Sequence, residues 1–267
     1  NWLSNLFGIV DRLMIIHCGG VPSEIALGLV GQYHTARIFP MLFIGVAELL
    51  GAVITPHLSS DWESGRRSRV SGRLRLMLKA FGVGFTSVAI VVLIGSPVLF
   101  DLAWQGRYGA GLAVLPVALA GSIWTGLAFI SYNYLWCAEK SRFVSLTLFL
   151  GLAANIGLNL VLLPRIGLLG AVAATATARF AALGLIWLIA AKFGMKIDRG
   201  LLILAGLPLL LAFGPWAALI GVAGVLLGSP SCMGCFTEEE RTQIAAAVEQ
   251  QRLKLRRRFG RRRLAAE

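Results

Sequence analysis

Long apolar runs separated by short polar segments dominate the chain. Six of these runs lie at about residues 2–17, 29–55, 76–100, 112–136, 143–163 and 168–191. Each approaches or exceeds the roughly 20 apolar residues that cross about 30 Å of hydrocarbon. Because lipid offers the backbone no hydrogen bonds, an open-chain segment crosses it as a helix. The pattern predicts an all-α, polytopic transmembrane helical bundle with six spans.

A seventh apolar stretch, residues 200–228, is long for one helix and short for two. Gly214 and Pro215 stand near its centre, where they interrupt a helix. We therefore expect a short broken pair, either two short crossings or a re-entrant hairpin. The predicted organisation is a single transmembrane lobe over residues 1–228, with six spans plus this pair.

Prolines and glycines also divide the spans. Pro40 is expected to kink span two and Pro56 to end it. Pro164 and Gly167 are expected to turn the chain between spans five and six, which then form a helical hairpin. Each arm of the hairpin presents two polar residues one turn apart on a single face: Asn155 with Asn159, and Thr175 with Arg179. We interpret the asparagines as helix-packing groups.

Composition supports a membrane protein. The 267 residues are 57% hydrophobic and 14% charged, with a mean hydropathy of +0.76, which is outside the balance of soluble domains. The loops after spans two, four and six hold Arg66, Arg67, Arg69, Arg73, Lys140, Arg142, Lys192, Lys196 and Arg199, whereas the alternate loops hold Arg107 and Arg165. The positive-inside rule predicts that Asn1, the basic loops and the tail are cytoplasmic. A cytoplasmic tail requires two passes through residues 200–228.

The tail, residues 229–267, is predicted to contain a cytoplasmic amphipathic helix with a basic end. Thr237 and Glu240 form a capping-box pair. An apolar stripe and an arginine cluster follow, formed by Ile244, Val248, Leu255 and Phe259 and by Arg256, Arg257, Arg258, Arg261, Arg262 and Arg263. Such a helix suits an anionic inner leaflet, so anionic membrane lipids are the expected partner and nucleic acid is the less favoured alternative.

The sequence offers no catalytic motif. It contains no G-x-S-x-G elbow, Walker loop, H-E-x-x-H motif or Rossmann fingerprint. His17, His34 and His57 lack metal-ligand spacing, and Cys232-x-x-Cys235 stands without a second ligand pair. We therefore expect no catalytic residues, no metal and no cofactor, and we do not expect an enzyme.

Polar and charged residues inside the spans carry the functional signal. They are Asp11, Arg12, His34, Arg37, Glu48, Asn133, Asn155, Asn159 and Arg179. Ionisable residues within a membrane indicate a substrate or ion path, with mutual pairing between helices as the alternative. The three arginines outnumber the two carboxylates. A cavity with surplus guanidinium charge suits a phosphate or pyrophosphate, whose oxygens match the arginine fork.

Several motifs resemble those of a known family. The pattern Asn155-x-x-x-Asn159-Leu-x-x-x-Pro164-x-x-Gly167-x-x-Gly170-Ala171-x-x-Ala174-Thr175 is similar to the hairpin of bacterial polysaccharide flippases. Their superfamily also holds multidrug and toxin extruders and lipid II flippases. Further agreement lies in Asp11-Arg12, Val30-Gly31-Gln32-Tyr33, Thr55-Pro56-His57-Leu58-Ser59 and the charged tail after Phe236.

The resemblance covers nearly the whole chain, but only the second of the two six-helix bundles of such a protein. It implies that a missing N-terminal lobe, or a partner chain, forms the other wall of the cavity. Asn1 stands where a start methionine is expected, so we also expect an N-terminal portion to precede the chain.

The resemblance implies export of a lipid-pyrophosphate-linked oligosaccharide across the bacterial inner membrane, for O-antigen or other surface polysaccharide biosynthesis. Alternating access coupled to a cation gradient, as in an antiporter, would drive it. The implied roles are pyrophosphate contacts for Arg12, Arg37 and Arg179, sugar contacts for Tyr132 and Asn133, and charge balance or cation coupling for Asp11, Glu48 and His34.

Other functions stay open at this level. A drug extruder or a lipid II flippase of the same superfamily is the nearest alternative, although an extruder of cationic drugs would prefer an acidic cavity. A membrane-embedded glycan polymerase needs a catalytic acid or base on a periplasmic loop, where the chain offers Glu24 and Asp101. An inactive half-length fragment is a further alternative.

Overall fold

The computed structural model describes residues 2–105, 109–227, 235–236 and 240. Every regular element within these ranges is helical. The α-helices are α1 (Trp2–Cys18), α2 (Ser23–Ala36), α3 (Ile38–Glu63), α4 (Arg67–Trp104), α5 (Gly109–Cys137), α6 (Ser141–Lys192), α7 (Arg199–Gly206) and α8 (Pro215–Leu227), with a 3-10 helix at Leu207–Phe213. Among them α3, α4, α5 and α6 are long and apolar enough to cross a membrane. The protein is an all-α membrane helical bundle.

Some sequence predictions fall outside the described residues. They are the amphipathic tail helix with its arginine cluster, Cys232 of the Cys-x-x-Cys pair, and Arg107. These stay predictions.

Helix α5 forms the centre of the bundle. Every residue from Leu119 to Leu135 is buried, and α5 packs against α2, α3, α4 and α6. A helix that is apolar on all sides belongs inside a bundle. A Cβ on Gly126 would lie 2.4 Å from Phe81 and 3.0 Å from Ala47, so the glycine lets α3 and α4 approach α5 closely.

The second predicted span consists of two helices, α2 and α3, that meet at Arg37. The expected kink at Pro40 therefore appears one turn earlier, where Arg37 has φ −90° and ψ −8°. Pro40 has no N–H to donate to the carbonyl of Ala36, so the helical hydrogen-bond ladder is interrupted there. The span also begins earlier than expected, at Ser23 rather than near residue 29.

The prediction that Pro56 ends span two is wrong. Helix α3 continues through Pro56 to Glu63 and stops at Gly65, whose φ is +74°. Burial explains the continuation, because Leu58 and Asp61 lie in the bundle. The packing of that last segment outweighs the one hydrogen bond that a proline removes.

The hairpin of α6 turns at Ile166 and Gly167, where the backbone leaves the helical region. Gly167 has φ +59°, which glycine adopts without strain. A Cβ on Gly170 would lie 2.3 Å from the carbonyl oxygen of Leu162, so the returning arm passes directly against the outgoing one. Pro164 itself stays in helical geometry, and the turn follows it by two residues.

Residues 199–227 form the broken pair. Helix α7 leads into the 3-10 helix, Gly214 turns the chain with φ +106°, and α8 packs back on the 3-10 helix. A Cβ on Gly221 would lie 2.3 Å from Leu210. Both legs contact α4. The pair therefore runs out and back, which is the arrangement that the predicted topology needs.

The loops after spans two, four and six meet at one end of the bundle. The rings of Trp62 and Tyr134 are 5.4 Å apart, and the Tyr134 hydroxyl donates to the carbonyl of Phe193 at 3.1 Å. The backbone N–H of Lys196 donates to the hydroxyl of Ser71 at 2.9 Å. We call this the basic end, because nearly all loop arginines and lysines lie there. Its cytoplasmic location stays a prediction.

Candidate functional site: a buried carboxylate beside two arginines

The carboxylate of Asp11 on α1 is fully buried and receives hydrogen bonds from three other segments. Its Oδ2 accepts from the hydroxyl of Tyr33 on α2, and Thr175 on the second arm of α6 lies 2.9 Å from the same atom. Its Oδ1 accepts from the side-chain amides of Asn155 and Asn159 on the first arm, each at 3.2 Å. Four polar side chains therefore converge on a single carboxylate.

The hairpin geometry creates this convergence. Asn155 and Asn159 lie one helical turn apart and point to the same side, and the turn at Gly167 returns Thr175 to face them. The Asn155 amide donates to the Thr175 hydroxyl at 3.0 Å, and the Asn159 amide donates to the Asn155 carbonyl at 2.6 Å. Both asparagines thus join α1 to α6, and they do so through a buried charge.

Among the described residues no arginine or lysine lies within ion-pair distance of Asp11, although the charge of Arg179 interacts with it at longer range. Neutral donors alone compensate a buried carboxylate poorly. The side-chain carbonyl oxygen of Asn159 is also buried without a hydrogen-bond partner. An unpaired acceptor next to a carboxylate that has no direct ion pair is compatible with a proton or a small cation at this place.

The donor set fits a hard monovalent cation. A half-turn of either asparagine amide exchanges its N–H donor for a carbonyl oxygen, so the same residues offer carboxylate, amide and hydroxyl oxygens. The backbone carbonyl of Ala171 lies 3.0 Å from the Thr175 hydroxyl and adds another oxygen. A single negative charge balances a single positive one. No group of three His, Cys, Asp or Glu residues gathers among the described residues.

Two arginines lie directly beside this carboxylate. Arg37 and Arg179 line a cavity of about 40 Å³ that Tyr33 and Thr175 also line. The Arg37 guanidinium stacks over the Tyr33 ring at 5.3 Å. Arg179 stacks over Phe7 at 5.0 Å and donates to the Thr125 hydroxyl. Neither arginine pairs with a carboxylate in the structure as described, so both have guanidinium N–H groups available to an anion.

A glycine makes room for Arg37. A Cβ on Gly8 would lie 2.6 Å from Nη1 of Arg37 and 3.1 Å from Nη2. The small residue on α1 therefore lets the guanidinium lie flat against that helix, between α1 and the Tyr33 ring.

Arg12, His34 and Glu48 are separate from this site. All three side chains are exposed, and Arg12 lies outside the cavity that Arg37 and Arg179 share. Successive residues on a helix are about 100° apart, so Asp11 and Arg12 cannot both face the bundle. Two of the three predicted arginines therefore line one cavity and Arg12 lies outside it, while their predicted contacts to an anion stay predictions.

Glu48 is not close to Asp11. It lines a second groove of about 440 Å³ between α3 and α5, together with Thr55, Asn133 and Trp136. Glu48 therefore cannot balance the same charges as Asp11, because the two carboxylates lie on different faces of the bundle. Its predicted role in cation coupling is not supported by its position.

The side chains of Tyr132 and Asn133 lie in different surroundings. Tyr132 is buried and lines a small cavity with Phe7 and Arg179. The Asn133 amide donates to the carbonyls of Phe129 and Ile130 at 3.3 and 3.1 Å, and its oxygen accepts from Thr55. These contacts occupy both amide protons, so Asn133 holds α3 against α5 and has little to offer a sugar.

Two residues of the site were not among the predicted site residues. Tyr33 appeared only as part of a motif, and Thr175 only as a polar residue on the hairpin. Tyr33 lies one turn before Arg37, so the pairing of a tyrosine with an arginine on one helix face was a usable signal. Thr175 shares its face with Arg179 in the same way.

Comparisons with known proteins support a membrane protein. No family model matches the chain, and no solved structure matches it. Over 173 residues the chain is 22% identical to an uncharacterized membrane protein of Methanocaldococcus jannaschii. The match covers 64% of this chain and 33% of that protein, so the chain spans about a third of the length of that relative.

Proposed function

We propose that the chain is one lobe of a flippase that exports a lipid-pyrophosphate-linked oligosaccharide, driven by a cation that binds at Asp11. The observation that carries the proposal is the shared wall between two sites. Tyr33 touches the Asp11 carboxylate through its hydroxyl and the Arg37 guanidinium through its ring. A cation site and an anion site that share a side chain can influence each other's occupancy.

The coupling follows from charge. With Asp11 ionised and without a cation, its field draws Arg37 and Arg179 towards it and lowers their attraction for a pyrophosphate. A proton or Na⁺ on Asp11 cancels that field and leaves two guanidinium groups for the anion. Cation binding thus changes the affinity for the lipid-linked cargo, and the cargo changes the affinity for the cation by the same factor.

The alternative functions fit the structure less well. An extruder of cationic drugs would not place two arginines without carboxylate partners on its cavity wall. A glycan polymerase needs a catalytic group at an open surface, whereas Asp11 is fully buried. A lipid II flippase shares the pyrophosphate chemistry, and only the sugar specificity of the export assay separates it from the proposal.

The test has two arms, one for the cation and one for export. In detergent, Na⁺ should raise the melting temperature of the protein relative to choline, and Asp11→Asn should abolish that shift while Asp101→Asn, an exposed carboxylate, keeps it. In cells deficient in a flippase, expression of the gene that encodes the chain should restore export of the surface glycan. Arg37→Ala with Arg179→Ala should remove the rescue, and Lys140→Ala with Arg142→Ala should not. Rescue by the Arg37/Arg179 double variant would refute the arginine site.

A further inference from the structure

A second polar cavity lies at the basic end, where α4 begins. It has a volume of about 500 Å³ and is lined by Ser68, Arg69, Ser71, Gly72, Arg73, Arg75, Lys196 and Glu240. Four cationic side chains therefore face one carboxylate. We call it the basic-end cavity.

Neighbouring carboxylates do not cancel this charge. Asp61 lies 2.9 Å from Arg66 and also contacts Arg73, and Glu240 lies 2.9 Å from Arg75 and 2.8 Å from Lys79. The third carboxylate is Asp198, 2.5 Å from Lys79. Counted over the described residues alone, the group formed by Arg66, Arg69, Arg73, Arg75, Lys79 and Lys196 has six positive charges against the three of Asp61, Asp198 and Glu240. An excess of positive charge surrounds one open cavity.

The cavity presents accessible hydrogen-bond donors that suit a phosphate group. The side chains of Arg69 and Arg73 are 56% and 49% exposed, so their guanidinium groups can reach a ligand. Ser71 is almost fully buried, and its oxygen accepts from the backbone of Lys196, which leaves its hydroxyl proton free to donate. An arginine fork donates to two oxygens of a phosphate at once, and a hydroxyl can donate to a further phosphate oxygen.

The position along α4 places the cavity at the membrane boundary. A helix of 38 residues is about 57 Å long, which exceeds the hydrocarbon thickness of about 30 Å by several turns. The excess lies at the start of α4, because that part contains Arg67, Arg69, Arg73 and Arg75. The headgroup layer and the adjacent water therefore both have access to the cavity.

We propose that the basic-end cavity binds a phosphate-bearing anion, presented either by the headgroup of an anionic phospholipid or as free phosphate or pyrophosphate. The proposal is independent of the cation and export chemistry at Asp11. Glu240 lies at its wall and competes with the anion for Arg75.

Binding is measured on the purified 267-residue chain in detergent. Native mass spectrometry counts retained phosphatidylglycerol against phosphatidylcholine, and calorimetry titrates sodium pyrophosphate. The test variant is Arg69→Gln with Lys196→Gln. It keeps the fold, because Arg69 approaches Asp61 only to 4.0 Å and the Lys196 contact to Ser71 uses its backbone N–H. The control is Lys140→Gln with Arg142→Gln, which removes equal charge near the same end.

We expect the test variant to bind the phosphate-bearing ligand about tenfold more weakly than the wild type, and the control to stay within about twofold. Glu240→Gln should bind it more tightly, since it removes the carboxylate from the cavity wall. If the protein retains phosphatidylglycerol but does not bind pyrophosphate, the site exists and its ligand is the headgroup of a lipid. If pyrophosphate displaces the lipid, the site exists and its natural ligand can be a free phosphate compound. Equal binding by wild type and test variant, or equal losses in test variant and control, would overturn the proposal, with melting temperatures confirming that each variant is folded.

Discussion

At the scale of single residues, Tyr33 has the most specific position in the site. It is 2% exposed, its hydroxyl reaches the Asp11 carboxylate, and its ring supports Arg37. A hydrogen bond to a charged group contributes about 1.5 to 3 kcal/mol, which is tenfold or more in binding. Its two contacts are chemically separable, because phenylalanine keeps the ring and loses the hydroxyl.

We therefore expect Tyr33→Phe to weaken the response of the protein to Na⁺ about tenfold while it retains pyrophosphate binding at Arg37. A titration of the melting temperature with Na⁺ measures the first effect, and calorimetry with pyrophosphate measures the second. Tyr132→Phe is the matched control, since Tyr132 is equally buried and lines a cavity with Arg179 instead of contacting Asp11. An unchanged Na⁺ response in Tyr33→Phe would contradict a role for the hydroxyl.

Gly8 offers a second test at this scale. Gly8→Ala places a methyl group 2.6 Å from Nη1 of Arg37, and the end of that flexible side chain must move away. We expect a change in stability below about 1 kcal/mol and a several-fold loss of pyrophosphate affinity, because the guanidinium leaves its position over Tyr33. Gly45→Ala, which has open space around its Cβ, should change neither quantity. Equal affinities for the two variants would show that Gly8 does not position Arg37.

At the scale of the element, the α6 hairpin decides whether the site exists. The φ of +59° at Gly167 and the close approach of Gly170 to Leu162 bring the two arms together. Without that turn, Thr175 would not reach Asn155 and Asp11, since 20 residues separate Asn155 from Thr175 along the chain.

Gly170→Ala should destabilise the protein by roughly 1 to 3 kcal/mol, since the new methyl group would lie 2.3 Å from a backbone carbonyl that cannot rotate away. Unfolding in mixed micelles measures the free energy, and the same variant should respond less to Na⁺. Gly157→Ala on the first arm has no neighbour within 4 Å, so it should be neutral or slightly stabilising through its higher helix propensity. If the two variants unfold alike, the close approach at Gly170 is not what holds the arms together.

At the scale of the whole molecule, a buried ion cluster fastens the end of the chain to the bundle. Lys79 on α4 is fully buried between Asp198, which precedes α7, and Glu240, which follows α8. The cluster brings Asp198, which precedes α7, and Glu240 together on one lysine of α4.

Lys79→Met should cost about 3 kcal/mol, because it leaves two carboxylates near each other with only Arg75 to compensate them. It should also make the chain around Glu240 cleavable by a protease earlier than in the wild type. Unfolding in micelles and limited proteolysis measure the two effects. Lys192→Met, at an exposed lysine of the same end, is the control and should leave both unchanged. Protection of Glu240 in the Lys79 variant would mean that the cluster does not hold the tail.

The sequence by itself determined the fold class, the α6 hairpin and which charged residues lie within the apolar spans. Apolar runs longer than a bilayer is thick leave few alternatives to a helical membrane bundle, and asparagines one turn apart must share a face. The break at Arg37 and the continuation of α3 through Pro56 were not determined, because each depends on what the segment packs against.

The tertiary structure alone decided which polar residues meet. Asp11 and Arg12 are adjacent in sequence, yet Asp11 is buried and Arg12 is exposed, and Arg37 and Arg179 line one cavity although they are far apart along the chain. The Asn133 amide donates to backbone carbonyls of its own helix, although the residue also lines the groove between α3 and α5. Periodicity assigns a residue to a face of its own helix, but the rotation of each helix against its neighbours is set by packing, and that rotation brings Tyr33 and Thr175 to the Asp11 carboxylate.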